Sequence, residues 1–308
     1  MSRSVHLAEF ADPIPFEFID SPEQHAGDGQ LRIRVAAAGL NPIDWKIAAI
    51  PGLGAHFGVT TPDGFGSDFA GVVDEVGDGV EGFAVGDRVF GGARGRAAAD
   101  VLIATLATDR VRHTPDGLDD VTAGALDIAG RTAVAALTAA AVGAGDTVLI
   151  GGAAGGVGVV AVQLARAAGA TVIATASEPN HEFLRELGAI PVTYGDGLAD
   201  RVRAASAAAV TAAIDLAGVE TVHAALELGV APERIATIAA GPTPPGGAVP
   251  TGSGAVDPEV LDAIAASLAS GALVLPIAAT FPLEQIADAV ALQRTGHVRG
   301  KVVVTVGH

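Results

Sequence analysis

Residues 147–177, TVLIGGAAGGVGVVAVQLARAAGATVIATAS, constrain this chain more than any other segment. An apolar run of strand length enters a glycine-rich turn. A helix-permissive stretch follows, and a second apolar run begins about 20 residues on. Strands joined through a helix pair in parallel, and a parallel sheet needs helices on both faces. Glycines stand at Gly152, Gly155 and Gly158. Glycine suits positions where the chain turns sharply or where backbone must approach a diphosphate closely. The helix beside them would offer unpaired N–H groups and the positive end of its dipole to those phosphates. A glycine turn used only to pack strand on helix is the alternative. In a chain with 41 glycines the triplet alone is weak, so the argument rests on the strand–turn–helix–strand context.

The end of the second apolar run bears on which dinucleotide binds. An NAD site places Asp or Glu there to hold the ribose 2′-hydroxyl. Here the run closes on Thr175-Ala176-Ser177, and Ser177 and Asn180 would offer hydroxyl, amide and backbone donors to a 2′-phosphate. NADP, as NADPH, is the expected cofactor. Glu178 lies one residue further on, and a carboxylate turned inward there would favour NAD instead.

After this unit the alternation continues, with strands expected at 192–194, 212–216 and 234–239 and helices at 182–187, 199–209 and 222–228. That order predicts an α/β fold, a Rossmann-type doubly wound parallel sheet. Residues 1–117 read differently. Short strands at 32–38, 70–76 and 88–90 among Gly and Pro predict a small antiparallel barrel. The Ala-rich stretch 121–142 predicts one helix. The tail predicts helices at 258–270 and 283–294, each followed by a strand, LVLPIAATF and KVVVTV.

Length and charge narrow the partners. At 308 residues the chain can hold two domains, and 35 acids against 18 bases give a net charge of −17. That field repels polyanions, so nucleic acid is not an expected partner. The absence of cysteine excludes disulfides, thiolate metal sites and cysteine nucleophiles. The eight histidines show no metal-ligand spacing, and no metal is expected. Two uncharged runs, 147–165 and 235–256, contain five glycines and four prolines respectively, unlike a lipid-spanning helix. With no apolar core in MSRSVHLAEF, a cytoplasmic location is expected.

Four segments, AAAGLNPIDWKI, GFGSDFAGVVDEVGDGVEGFAVGDRVFG, GDTVLIGGAAGGVG and GHVRGKVVVTV, occur in order over nearly the whole chain. Together they resemble the zinc-free quinone oxidoreductase (zeta-crystallin-like) branch of the medium-chain dehydrogenase/reductase superfamily. The resemblance implies a GroES-like β-barrel domain at 1–117, completed by 257–308, with a Rossmann NADP-binding domain at 118–256. It implies Asn41 and Thr132 near the nicotinamide, and Gly155, Gly156 and Val157 at the pyrophosphate. Tyr194 would approach the adenosine 2′-phosphate and Gly241 would border the nicotinamide amide. A lysine common near Asn180 in relatives is not evident here. Zinc-dependent relatives place a cysteine ligand at the position of Asn41 and a histidine ligand at that of Ser67, and an amide and a hydroxyl make a poor zinc site. A homodimer is implied as well.

The expected reaction is hydride transfer to a quinone or to the carbon–carbon double bond of an enone, where negative charge builds on oxygen. Lys46 is the candidate cation or proton donor, with a surface lysine paired to Asp44 as the alternative. Asp44 suits a loop-orienting role. Trp45 reads as packing, and His56, Phe57, His297 and Arg299 as surface-loop or turn residues. An NADPH-binding structural or regulatory protein without turnover is the rival.

Overall fold

A computed structural model describes residues 1–252, 254 and 256–307. Positions 253 and 255, within the uncharged run 235–256, lie outside the described residues. The chain divides into two compact units. One comprises Met1–Ile128, Asp262–Ala272 and the stretch from Pro276 onward; the other comprises Ala129–Leu261 and Leu273–Leu275.

The first unit opens with strands β1 (Ser2–Leu7), β2 (Phe16–Ser21) and β3 (Gln30–Gly39), then short helices α1 (Pro42–Ala49) and α2 (Leu53–His56). Strands β4 (Asp63–Gly64), β5 (Asp68–Val76), β6 (Arg88–Gly92), β7 (Val101–Thr105) and β8 (Arg110–His113) follow, then α3 (Asp120–Ala123). The long strand β3 organises this unit, pairing antiparallel with both β5 and β7. Its alternation turns Leu31, Ile33 and Val35 into a core shared with Phe65, Phe69, Val73 and Val89, while Arg32 faces outward to Asp74.

Helix α4 (Asp127–Ala139) leads into the alternating segment: β9 (Thr147–Gly151), α5 (Gly156–Ala167), β10 (Thr171–Thr175), α6 (His181–Glu186), β11 (Ile190–Val192), α7 (Leu198–Ala205), β12 (Ala212–Asp215), α8 (Val219–Glu227), β13 (Ile235–Thr237) and β14 (Val249–Pro250). The six strands pair in parallel in the order β11-β10-β9-β12-β13-β14. The chain starts in the middle of the sheet, runs to one edge, and resumes on the other side of β9. This is the Rossmann order, and ligands of such sheets bind outside the strands' carboxyl ends at that reversal. Val148, Leu149 and Ile150 are fully buried, as covering on both faces requires.

Helix α9 (Pro258–Ala269) precedes β15 (Ile277–Pro282), α10 (Ile286–Arg294) and β16 (Lys301–Thr305). Strand β16 joins the edge of β3, completing a seven-stranded sheet in the first unit.

Two elements differ from the sequence expectation for identifiable reasons. The helix expected over 121–142 is broken into α3 and α4, because the intervening chain packs directly on β3. The Gly39 N–H donates to the Gly124 carbonyl at 2.8 Å, and a Cβ on Gly39 would lie 2.5 Å from that oxygen. The strand expected at 192–194 ends at Val192, and the chain then turns through Gly195 at φ +101°. Among the described residues no helix is long and apolar enough to cross a membrane.

Candidate active site

The turn after β9 is shaped by contacts only glycine permits. A Cβ on Gly151 would lie 2.0 Å from Thr221 Oγ1, and one on Gly158 would lie 2.3 Å from the Gly152 carbonyl oxygen. Gly152 adopts φ +69°, and its N–H donates to Thr175 Oγ1 at 3.2 Å, tying the turn to the end of β10. Gly155 caps α5 with an extended backbone and no side-chain hydrogen bond. The first helical bond is Val159 N–H to Gly155 carbonyl, so the N–H groups of Gly156, Val157 and Gly158 have no protein partner among the described residues. A Cβ on Gly155 would meet only the Gly152 carbonyl, at 3.4 Å. Three free donors at a positive dipole end beside an uncrowded glycine fit a diphosphate.

At the end of β10, Asn180 Nδ2 donates to Ser177 Oγ at 3.2 Å, and Glu178 is exposed. Strand β11 lies beside this end, with Ala176 N–H donating to the Val192 carbonyl. Tyr194 follows two residues later and is 44% exposed. Across the reversal, buried Asp215 accepts from Ala217 N–H, Gly218 N–H and Thr237 Oγ1, and Thr237 Oγ1 accepts from Ala239 and Ala240 N–H. These bonds end β12 and β13 early and set the turn toward Gly241, at φ +79°. Thr132 is buried on α4.

The first unit holds a buried polar cluster around the residues expected near the chemistry. Lys301, at the start of β16, donates from Nζ to Asn41 Oδ1 at 2.6 Å and stands 3.5 Å from Asp68 Oδ2. Asn41 Nδ2 donates to Asp68 Oδ2 at 3.0 Å and to the Gly39 carbonyl at 3.3 Å. Asp44 accepts from Ser67 Oγ at 2.6 Å and from Asn41 N–H at 2.8 Å. Asp68 also accepts from Ile128 N–H, and Asp127 binds Arg110. The Asn41 amide is therefore engaged at both ends, and Asp44, Asn41 and Ser67 form one network. Lys46 does not pair with Asp44; its ammonium lies 5.7 Å from the Trp45 ring centroid, with no ion pair among the described residues. Trp45 donates from Nε1 to Gln293, and Gln293 donates to the Leu40 carbonyl, so the indole packs the α1 loop onto α10. His56 and His297 are exposed.

Burial decides the protonation of this cluster. It pushes the Asp68 carboxyl up to about 7, opposed by Lys301 and assisted by Asp127. Burial raises Asp44 too, against the bonds from Ser67 and the Asn41 N–H. Both groups hold protons more tightly folded than unfolded, where a carboxyl titrates near 3.8. The contribution of Asp68 to stability is present below about 4, falls as pH rises to about 7, and is level above that, and Asp44 acts in the same direction. Asp12 works oppositely, held below its ordinary range by the hydrogen bond from Arg294, and acts only at lower pH. Urea midpoints are thus expected to fall between pH 5 and pH 7.5, and the fall should shrink in Asp68→Asn. An equal slope in that variant would remove Asp68 as the cause.

Sequence reasoning missed Lys301, Asp68 and Asp215. A usable signal existed: each is a charge at one end of an otherwise apolar strand (KVVVTV, DFAGVV, AAID), which demands a buried partner.

The geometry agrees with comparisons to known proteins. Residues 27–161 match the model of the alcohol dehydrogenase GroES-like domain, and residues 187–304 that of zinc-binding dehydrogenase. Erythronolide synthase EryA2 of Saccharopolyspora erythraea is 42% identical over 178 residues, 58% of this chain and 5% of that protein. A quinone oxidoreductase of Pseudomonas aeruginosa is 36% identical over 193 residues, 61% of this chain and 57% of that one. The chain thus spans less than two thirds of these curated relatives. Over full length it superposes on the quinone oxidoreductase of Coxiella burnetii with TM-score 0.84 at 30% identity, covering 99% of both chains. A mycobacterial protein solved with NADPH gives TM-score 0.80 at 26% identity, covering 99% of this chain and 100% of that one. Zinc does not suit the residues present at 41 and 67. They offer an amide and a hydroxyl already bonded within the cluster, and the Lys301 ammonium lies against the amide oxygen a cation would need.

Proposed function

Because the chain belongs to the zinc-free quinone oxidoreductase branch of the medium-chain dehydrogenase/reductase superfamily, we propose that it is an NADPH-dependent reductase of a quinone or of an enone carbon–carbon double bond. The turn after β9 carries this reading, with three successive N–H groups at a helix start that have no partner among the described residues. Quinone oxidoreductase relatives support the acceptor class, and the neighbour solved with NADPH supports a nicotinamide cofactor. The phosphorylated form is favoured by the lack of an acid within β10 and its immediate end, and by the exposure of Glu178.

When bound, NADPH supplies the hydride. In this reading the Gly155–Gly158 backbone holds the diphosphate, and Ser177, Asn180 and Tyr194 receive the adenosine ribose. Gly241 and Thr132 border the nicotinamide. Asn41, clamped by Lys301 and Asp68, fixes the loop that carries Lys46. The Lys46 ammonium, without a carboxylate partner among the described residues, stabilises the oxyanion formed on the acceptor or protonates it. A cytoplasmic homodimer completes the proposal.

The test is to mix the protein with NADPH and a panel of quinones and enones and follow loss of reduced nicotinamide. Turnover of at least one acceptor is expected. NADPH binding with no turnover on any of them would favour a structural or regulatory role instead. Lys46→Met is expected to lower kcat by about 10²-fold with the NADPH Kd unchanged. An unaltered kcat would remove Lys46 from the chemistry.

A further inference from the structure

The reversal of the parallel sheet holds a buried pair, Asp215 and Thr237, to which the proposed function gives no part. They stand opposite each other at the ends of β12 and β13, and Asp215 also stands opposite Gly151, the last residue of β9. Asp215 Oδ1 accepts from the Ala217 and Gly218 N–H groups at 3.1 and 2.8 Å. Thr237 Oγ1 accepts from the Ala239 and Ala240 N–H groups at 3.2 and 3.0 Å. Each set alone is an ordinary turn made by a short polar side chain. What joins the two turns is a further bond, Thr237 Oγ1 donating to Asp215 Oδ2 at 2.5 Å.

This network has one arrangement. A hydroxyl carries one proton and two lone pairs. The Ala239 and Ala240 N–H groups occupy both lone pairs of Thr237, so its proton goes to Asp215. Residue 215 must then accept at both ends of its side chain, which a carboxylate does and an amide of the same size cannot. The turn after β13 is therefore held from the neighbouring strand. Ile238 N–H adds a bond to the Asp215 carbonyl at 3.0 Å.

The held turn presents backbone. Residues 238–240 are half-buried and Gly241 is exposed. The Gly241 N–H and the carbonyls of Ile238, Ala239 and Ala240 have no protein partner among the described residues. Acceptors beside one donor complement a primary amide, which carries two N–H donors and one carbonyl. Ala217, on the other turn, packs against the nucleotide loop, where a Cβ on Gly152 would lie 3.2 Å from its own.

We propose that Asp215 is a positioning residue for hydride transfer: acting through Thr237, it fixes the 238–241 backbone that orients the nicotinamide amide. This rests on the NADPH reading above, which puts Gly241 beside the nicotinamide. A ring held by its amide offers its hydride from a fixed place, and small misplacements of reacting atoms are costly.

The experiment measures Kd for NADPH and for adenosine 2′,5′-bisphosphate, the adenine half alone, in the wild type, Thr237→Val, Thr237→Ser and Asp215→Asn. Thr237→Val and Asp215→Asn should weaken NADPH about tenfold and leave the bisphosphate within about twofold. Thr237→Ser keeps the hydroxyl and should stay within about threefold of the wild type for both ligands. Thr237→Val adds no polar group, so it carries the test even where Asp215→Asn does not fold. Equal weakening of both ligands would mean that the pair only supports the sheet, and unchanged NADPH binding would mean that this turn does not orient the nicotinamide. Either result overturns the inference and leaves the NADPH reading standing. A wild type that binds neither ligand overturns the two together.

Discussion

Lys301→Met is expected to destabilise the protein by about 1–3 kcal/mol at pH 7.5, the cost of leaving the buried Asn41 Oδ1 without its donor and of holding Asp68 protonated. Methionine keeps most of the lysine stem's apolar contacts, so the loss isolates the ammonium. Lys301 is 5% exposed and Asp68 fully buried, so water cannot take over the missing role. Asp68 would respond by holding its proton to still higher pH, and the protonated acid needs no cation. The loss should therefore be smaller at pH 5 than at pH 7.5, and Lys301→Met/Asp68→Asn should recover much of it. Denaturant unfolding at the two pH values measures all three effects. A loss below about 1 kcal/mol at pH 7.5 would show that the ammonium is not what holds the cluster.

The same cluster shows why only part of the molecule was legible in sequence. The β9–α5–β10 unit announces itself because its determinants are local: an apolar run, glycines three residues apart, a helix, another run. Thr171–Thr175 falls where the pattern puts it. The partner of Asn41, by contrast, is 260 residues away, and no periodicity links the two. The family resemblance implies Asn41 near the nicotinamide, and nothing local to it announces that its amide also bonds Lys301 and Asp68. Asp44 takes the loop-orienting role expected of it, accepting from Asn41 N–H, and only the alternative pairing of Lys46 with Asp44 fails. They are two residues apart and of opposite charge, yet on α1 such neighbours face different directions, and Asp44 turns inward to Ser67. The broken helix at Gly124 has the same origin, since its cause is a carbonyl contact to β3 that local propensity does not register.

Two substitutions three residues apart should separate packing from binding in the nucleotide turn. A Cβ on Gly158 would meet the Gly152 carbonyl at 2.3 Å and the Ala153 backbone at 2.7 Å. Those are main-chain atoms of the turn itself, so Gly158→Val must push the turn away from α5. Overpacking of this kind costs about 1–3 kcal/mol, and the displaced donors should weaken NADPH by about 10²-fold or more. Gly155 is the opposite case. Its φ of −75° suits any residue, and its Cβ would touch only one carbonyl oxygen at ordinary contact distance. Gly155→Ala should fold with an unchanged urea midpoint while a methyl beside the free N–H groups weakens NADPH about tenfold. Binding titrations and unfolding curves on both variants give the answer. If Gly155→Ala bound NADPH as the wild type does, the unbonded donors at the start of α5 would not be where the diphosphate sits, whatever Gly158→Val did to the fold.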